Sequence, residues 1–357
     1  MERGLDFKGL FFILAIGAIS LLVIFSINRS LFYNQLIFWI IGFTIFYLVS
    51  NFHLQLWKDV AKPFYIFTLL LLIAILIIAE PVRGSVRWLD LGIFRIQPSE
   101  IAKVAAVLIL AVFFSSRSAA SVRNILLSFL IIVPFAFLIF IQPDIGNALP
   151  ILAIWVGITF ASGFRAKQFL VISILIVALG VIFFQFLEPY QKARIGTYIN
   201  PAQDRLGTGY QIIQSKIAIG SGQLLGKGLG KGTQSQLKFL PEAESDFIFS
   251  SISESLGLAG AGLLLILYTF LILRVLSFAY TGSRLAQLIV AGAVSFFCIQ
   301  ILINVGMNLG LVPVTGITLP LVSYGGSSLI TTLFLLGIVF STRRAELQKF
   351  RNILDSD

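Results

Sequence analysis

The chain has 357 residues, of which 58% are hydrophobic and only 12% are charged, and its formal net charge is +10 at pH 7. Its mean hydropathy is +0.97. Soluble domains carry about 25% charged residues, and no soluble core could hide this much apolar surface. The composition therefore excludes a soluble globular protein and predicts an integral membrane protein.

Apolar stretches of membrane-spanning length recur along the whole chain. A helix needs about 20 residues to cross a hydrocarbon layer of about 30 Å, and we count about ten such stretches. They lie near residues 9–27, 31–50, 62–79, 98–115, 124–142, 146–163, 168–187, 246–273, 285–310 and 322–341. The predicted fold class is an all-α bundle of about ten transmembrane helices, with residues 1–357 forming a single polytopic membrane domain.

Lysine and arginine are distributed unevenly between the two sides of this predicted bundle. Most of them lie at the chain ends and in the loops that share a side with both termini, whereas the opposite short loops carry little more than Arg29. Short cytoplasmic loops are enriched in these residues. We therefore expect a multi-pass protein of the bacterial cytoplasmic membrane with both termini in the cytoplasm, and two long outer loops over about 80–97 and 188–245.

The second outer loop is basic and rich in glycine. Its cations are candidate ligands for phosphates or lipid headgroups, and we single out Arg194, Arg205, Lys216 and Lys227. The apolar spacing over 210–219 predicts an amphipathic helix lying at the membrane interface. The glycine-rich turn after it would expose N–H groups able to cradle phosphate oxygens. A solvated, flexible linker is the alternative.

Glu100, Lys103 and Asp144 are charged residues inside or at the edge of predicted spans, where each is costly unless it is buried and paired. Glu100 and Lys103 are three residues apart on one helix face, which favours an ion pair between them. Lining of a functional cavity is compatible with that pairing. Asp144 follows a proline at a helix break, where an N-cap in a tight turn competes with a role in a polar site.

The connection over 304–329 mixes proline, glycine and polar residues near membrane depth. Irregular backbone survives there only when it is buried in protein or lines a wet cavity. We therefore expect this segment to close one wall of a cleft, with Ser323 and Tyr324 among the residues that face a substrate.

Asp246 stands at the junction between the basic outer loop and the eighth predicted span. A carboxylate in that position suits general-base chemistry on an anionic lipid, and partial burial would raise its pKa toward the useful range. An ordinary helix N-cap is the competing interpretation. The single cysteine, Cys298, provides no disulfide, and no metal-ligand cluster is evident, so we predict no metal site.

Four ordered motifs carry a family resemblance. They are VRWLDLGIFRIQPSEIAK (86–103), QPDIGNA (142–148), DRLGTGYQIIQSKIAIGSGQLLGKGLGKGTQSQLKFLPEAESDFIF (204–249) and GLVPVTGITLPLVSYGGSSL (310–329). Together they resemble the hallmark motifs of the SEDS family (shape, elongation, division and sporulation) across nearly the whole chain. Within that family the third and fourth motifs resemble the elongation branch more than the division branch.

The resemblance implies a peptidoglycan glycosyltransferase that polymerises lipid II at the outer face of the cytoplasmic membrane during cell elongation. It also implies a class B penicillin-binding protein, a transpeptidase, as partner. Asp246 matches the family's catalytic carboxylate, Glu100 and Lys103 its central charged pair, and Asp144 its QPD acid. Lys238 and Ser245 depart from residues common in the family, but neither replaces a catalytic group.

Some functional alternatives stay open. We expect no required cofactor. Whether a divalent cation takes part stays open, because a pyrophosphate leaving group would favour one but the sequence shows no ligand cluster. A flippase or transporter of lipid-linked precursors would explain the intramembrane charges at Glu100, Lys103 and Asp144. A non-catalytic scaffold of the cell-wall synthesis complex would explain the membrane bundle but not a basic outer loop that ends at an acid.

Overall fold

The computed structural model describes residues 6–78, 87–90, 95–163, 165–186, 196–198, 207–280 and 282–354. Its elements are α1 Phe7–Ile27, α2 Arg29–Ser50, α3 Leu54–Ile78, β1 Leu89–Asp90, β2 Arg95–Ile96, α4 Pro98–Ser115, α5 Val122–Ile141, α6 Ile145–Ala161, α7 Ala166–Gln185, α8 Thr208–Ser221, α9 Thr233–Gln236, α10 Ile248–Ser277, α11 Arg284–Asn308 and α12 Gly326–Leu354. The two short strands pair antiparallel, with Leu89 opposite Ile96.

Ten helices account for the ten predicted spans. Within the described ranges, eight are long and apolar enough to cross a membrane, namely α1 to α5, α10, α11 and α12. The other two, α6 and α7, contribute shorter apolar stretches over Gly146–Ala161 and Gln168–Ile182. The prediction of an all-helical, multi-span bundle is confirmed.

The centre of the bundle is α4, whose residues are mostly buried. It packs against α3, α6 and α11, while α2 packs along α12 and α1 along α10. Small residues permit the closest contacts: a Cβ on Gly17 would lie 2.6 Å from the Trp39 ring, and one on Gly42 would lie 2.6 Å from Leu333. Close helix approach at small residues is the usual packing of membrane helices.

One end of the bundle is held by an ion cluster around Asp6. This residue caps α1 by accepting from the Gly9 N–H at 2.9 Å. It also pairs with Arg274 near the end of α10 and with Arg343 in α12. Burial raises the pKa of Asp6, but the hydrogen bonds from the two guanidinium groups outweigh it and hold that pKa at about 2. The start of α1 and the distal part of α12 therefore lie at the same end.

Helix α10 is broken near its other end. Gly257 has φ 68°, outside the helical region, and divides α10 into a polar, buried part and a long apolar part. Against this break lies the glycine-rich segment that follows α8. The region over 207–245 is consequently not a free loop, because α8, α9 and their connections pack onto α10.

Helix α8 covers the residues for which an amphipathic helix is predicted. The expected helix is present, but its buried residues, including Ile212, Ser215 and Ala218, face the protein. Ile213 and Ile217 remain exposed. The helix therefore packs one side against the end of the bundle, and its position at the membrane interface stays a prediction.

Candidate active site

Asp246 lies in the turn before α10 and is half-buried. Helix α10 begins at Ile248 with Phe247 as its N-cap residue, so the capping interpretation of Asp246 is wrong. Two buried amides hold its backbone instead: Nδ2 of Asn304 and Nδ2 of Asn308 donate to the Asp246 carbonyl oxygen at 3.1 and 3.0 Å. The acid is therefore positioned by the end of α11.

The carboxylate of Asp246 faces the segment over 309–325. Gly316 has φ 73°, and a Cβ built on it would lie 3.6 Å from Asp246 Oδ2. A positive φ is readily adopted by glycine and strained for other residues. Asn304 ties the same segment down, because its Nδ2 also donates to the Ile317 carbonyl at 2.7 Å. The Asn304 amide thus connects the backbone of Asp246 with the segment that the Asp246 side chain faces.

Ser323 and Tyr324, both predicted site residues, lie against the Asp246 segment. Ser323 Oγ donates to the Ser245 carbonyl at 2.6 Å, and the Tyr324 N–H donates to the Glu244 carbonyl at 2.8 Å. Ser323 is buried, and its hydroxyl also accepts from the Leu319 N–H. These contacts place the 304–329 connection against the Asp246 segment. They are structural hydrogen bonds for Ser323, and a cleft wall at which Ser323 and Tyr324 face a substrate stays a prediction.

Asn308 connects α8 to this arrangement. Its Oδ1 accepts from the Ser250 N–H at 3.0 Å, and its backbone carbonyl accepts from Ser215 Oγ at 2.7 Å. Ser215 and Ser250 are themselves 2.6 Å apart. The polar start of α10 is therefore buried because its hydrogen-bonding groups are satisfied by α8 and α11.

Glu100 and Lys103 form the predicted ion pair, with Lys103 Nζ 2.8 Å from Glu100 Oε1 and both side chains buried. Lys103 also donates to Asn147 Oδ1 at 3.1 Å and lies 5.5 Å from the centre of the Phe296 ring. Among the residues that the structure describes, Glu100 Oε2 has no hydrogen-bond partner. The pair is deep in the bundle, where each charge depends on the other.

Asp144 is the N-cap of α6, as one of the two interpretations predicted. It accepts from Gln97 Nε2 at 2.9 Å and from Asn147 Nδ2 at 2.8 Å. The Arg87 guanidinium lies 3.8 Å from its Oδ1 and also donates to the Gln142 and Pro143 carbonyls. Asp144 therefore joins the start of α4, the start of α6 and the segment before β1.

The cluster around Asp144 and the junction around Asp246 both lie against the segment over 315–318. A Cβ on Gly146, near the start of α6, would lie 2.5 Å from the Thr315 carbonyl oxygen, so the backbones are in close contact. Thr318 Oγ1 and Ser328 Oγ are 2.7 Å apart, and Ser327 Oγ accepts from the Gln97 N–H at 3.1 Å. The cluster around Asp144 and the junction around Asp246 thus share one wall.

The glycine-rich turn has a different role from the predicted phosphate cradle. Its N–H groups at Lys227 and Gly228 donate to the Glu254 and Ser255 carbonyls of α10 at 2.9 and 3.0 Å. The Lys227 side chain pairs with Glu254 at 3.1 Å. These groups are engaged inside the protein, so the cradle that the sequence suggested is not formed by these two amides.

Glu254 is a buried residue that the sequence-based prediction missed. Its carboxylate accepts from the Gln234 N–H at 2.9 Å and from the Ser235 N–H at 3.0 Å, in addition to Lys227. The detectable signal was an acid within a predicted span, which is costly unless paired. It fixes α9 and the glycine-rich turn to α10.

The remaining predicted cations differ in their positions. Lys216 is exposed on α8, and its Nζ lies 2.7 Å from the position of a Cβ on Gly310. Arg194 and Arg205 lie outside the described residues. In the described part of the chain, no group of three or more His, Cys, Asp or Glu side chains is arranged to hold a metal ion.

The fold and these clusters define a polytopic helical membrane protein with a polar, acid-bearing junction at one end of the bundle. A family model described as "Cell cycle protein", covering FtsW, RodA and SpoVE, matches residues 4–348. The chain belongs to this family, which is the SEDS family. The resemblance carried by the sequence motifs is therefore confirmed.

Individual relatives agree along nearly the whole chain. The Escherichia coli K12 protein named peptidoglycan glycosyltransferase MrdB is 39% identical over 313 residues, which are 86% of this chain and 85% of that protein. A subunit of a solved peptidoglycan synthase complex, described as coordinating polymerization and crosslinking, is 32% identical with a TM-score of 0.83, covering 97% of this chain and 100% of that one. Thermus thermophilus RodA is 28% identical with a TM-score of 0.74, covering 96% and 98%.

Proposed function

We propose that this protein is a peptidoglycan glycosyltransferase that polymerises lipid II during cell elongation, with Asp246 as general base. The observation that carries the proposal is the placement of Asp246, whose backbone is held by Asn304 and Asn308 while its side chain faces Gly316. The 39% identity to MrdB over most of both chains supports the reaction class.

The proposed reaction is one displacement. Asp246 accepts the proton of the acceptor sugar's 4-hydroxyl as that oxygen bonds to the donor's anomeric carbon. The bond from this carbon to the donor phosphate breaks, and polyprenyl pyrophosphate leaves with its electron pair. A single displacement inverts the anomeric configuration. Cations such as Lys216, and Arg194 and Arg205 in the same outer region, are proposed to neutralise the departing charge.

The orientation in the membrane is part of the proposal. The lysine and arginine distribution favours both termini in the cytoplasm, which puts the Asp246 end on the outer face, where lipid II is used. The partner is proposed to be a class B penicillin-binding protein. The relation to a subunit of a complex described as coordinating polymerization and crosslinking supports such a partner.

Polymerisation of purified lipid II by the protein in complex with its transpeptidase partner tests this function. Asp246→Ala and Asp246→Asn are expected to abolish glycan chains while the complex remains intact. Glu242→Gln is the matched control, since Glu242 is an exposed acid on the same turn, and it is expected to keep activity. Chain formation by Asp246→Ala at the unmodified rate would refute the assignment.

A flippase is the second candidate, favoured by the buried Glu100–Lys103 pair and the unpaired Glu100 Oε2 within the described residues. Buried charges with open hydrogen-bonding capacity are typical of substrate pathways in membranes. Transport of fluorescent lipid II across vesicles containing only this protein separates the two functions. Translocation that survives Asp246→Ala but not Glu100→Gln would favour the flippase.

A further inference from the structure

We propose that residues 222–228, here called the leucine turn, form a re-entrant turn inserted into the membrane leaflet on the Asp246 side. Leu224 and Leu225 would contact the acyl chains of bilayer lipids. The polar junction around Asp246 would then be attached to the membrane surface by this turn as well as by its spanning helices. The inference concerns a lipid contact and does not depend on the proposed reaction.

The level of the leucine turn is fixed by its docking into the break of α10. The Leu258 and Ala259 N–H groups donate to the Gln223 and Leu224 carbonyls at 2.8 and 3.0 Å. There is no space for side chains between the two backbones, because a Cβ on Gly257 would lie 2.3 Å from the Gly226 nitrogen. The turn is therefore held at the height of Gly257.

The height of Gly257 can be measured from the opposite end of the bundle. Asp6, at the start of α1, pairs with Arg274 of α10. The 21 residues of α1 rise about 31 Å at 1.5 Å per residue, which matches a hydrocarbon thickness of about 30 Å. The membrane boundary on the Asp246 side therefore lies near the end of α1, at Ile27.

A second set of contacts shows which residue of α10 lies at the depth of the end of α1. Gln236 Nε2 donates to the Ser26 carbonyl at 2.6 Å, and α9, which ends at Gln236, is held by Glu254 through its Ser235 N–H. Glu254 is thus level with the end of α1. Gly257 lies about one helical turn, roughly 5 Å, further into the membrane, and the leucine turn lies with it.

The side chains of the leucine turn are exposed and continuous with a lipid-facing surface. Leu224 is 68% and Leu225 84% exposed, and the neighbouring Leu258 is 65% exposed. Leu258 begins a face of α10 that continues through Ile266 and Phe270, which are also exposed. Since this face belongs to a membrane-spanning helix, acyl chains cover it, and they cover the adjoining leucines as well.

The charges around the turn fit an interfacial position. Lys227, near the end of the leucine turn, pairs with Glu254 at the boundary level, and Lys231 is exposed three residues beyond the turn. Lysines beside inserted leucines are typical of segments that lie in the headgroup region. The occupant we infer is the bilayer itself, and neither the polyprenyl chain of a substrate nor a protein partner is required.

Site-directed spin labelling tests the insertion. The single cysteine is removed by Cys298→Ala, and a nitroxide is attached at Leu225→Cys or, as the matched control, at Lys231→Cys. The labelled proteins are placed in phosphatidylethanolamine–phosphatidylglycerol vesicles without lipid II. Relaxation by oxygen, which concentrates in acyl chains, is compared with relaxation by the water-soluble complex NiEDDA. We expect the oxygen-to-NiEDDA ratio to be several-fold higher at position 225 than at 231.

Two outcomes would overturn the proposal. Equally low oxygen-to-NiEDDA ratios at positions 225 and 231 would place the leucine turn in water. Low accessibility to both reagents at position 225 would show that a second copy or another protein covers it. If Leu225→Cys fails to fold, Leu224→Cys provides the same measurement, because Leu224 shares the turn and is also exposed.

Discussion

The two acid-bearing halves of the candidate site are held in different ways. On α4 and α6, side chains bind the acids: Lys103 pairs with Glu100, while Gln97 and Asn147 donate to Asp144. Around Asp246, the hydrogen bonds from Asn304 and from Ser323 go to backbone carbonyls. In the α4–α6 half, charge and hydrogen bonds act on the carboxylates themselves, whereas the hydrogen bonds from Asn304 and Ser323 hold the backbone that carries Asp246.

The two halves should therefore respond differently to substitution of their charged residues. Removing a charge from the α4–α6 half leaves a buried ion without its partner, which costs stability. Removing the Asp246 carboxylate leaves the backbone ties in place, so the loss is expected in chemistry. The comparison therefore predicts that stability and activity respond to different residues, and the following experiments can break or sharpen it.

The largest effect on stability is expected from Lys103→Met. It leaves Glu100 buried and unpaired, which should lower the free energy of unfolding by about 3–5 kcal/mol. Denaturation in detergent micelles measures the loss. The double variant Glu100→Leu with Lys103→Met should recover most of it, while Asp246→Asn should change stability by less than about 1 kcal/mol. A destabilisation by Asp246→Asn as large as that of Lys103→Met would remove the distinction.

The sequence predicts the spans well because their length and apolarity are dictated directly by the bilayer. It also predicts the Glu100–Lys103 pair, since i, i+3 spacing is a local property of one helix. It does not predict that Glu254 binds residues around Lys227, or that Gly257 breaks α10, because both depend on contacts between segments far apart in the chain. The phosphate cradle was predicted wrongly for the same reason, since only the folded chain shows which N–H groups are already bonded.

A smaller effect is expected from Asn304→Leu. This change removes the donor to the Ile317 carbonyl and one of the two donors to the Asp246 carbonyl, which keeps its hydrogen bond from Asn308. With about 1–3 kcal/mol for one buried group left unsatisfied, we expect a loss of about 2 kcal/mol. It should also lower kcat for polymerisation, because Asp246 loses a positioning contact. Gln300→Leu is the matched control one turn earlier on α11. Gln300 is equally buried, and its amide has no hydrogen-bond partner within the described ranges, so that variant should be neutral or stabilising. Equal losses from both variants would contradict the positioning role of Asn304.

The ion cluster around Asp6, at the opposite end of the bundle, is expected to stabilise the fold in a pH-dependent way. The pKa of Asp6 is about 2 in the folded protein against 3.8 ordinarily. Because the folded pKa is lowered, the stabilisation is complete above about pH 4 and is lost as the pH falls toward about 2. Its size is about 2 kcal/mol. Thermal unfolding of the unmodified protein and Asp6→Asn should differ at pH 6 and converge near pH 2. A constant difference across this range would show that the cluster does not stabilise through the Asp6 charge.

The smallest effect is expected at Lys216, on the Asp246 side of the comparison. Lys216 is exposed and lies beside Gly310, so Lys216→Ala should change stability by less than about 0.5 kcal/mol. If its charge attracts the pyrophosphate of lipid II equally in the ground and transition states, KM should rise a few-fold while kcat is unchanged. The effect should weaken at high salt, because an exposed charge is screened. Lys231→Ala, which removes another exposed lysine farther along the same region, controls for net charge. A fall in kcat with unchanged KM would instead indicate that Lys216 stabilises charge that develops only on the leaving group. The half of the site around Asp246 would then contain a second side chain, besides the acid, that contributes to catalysis.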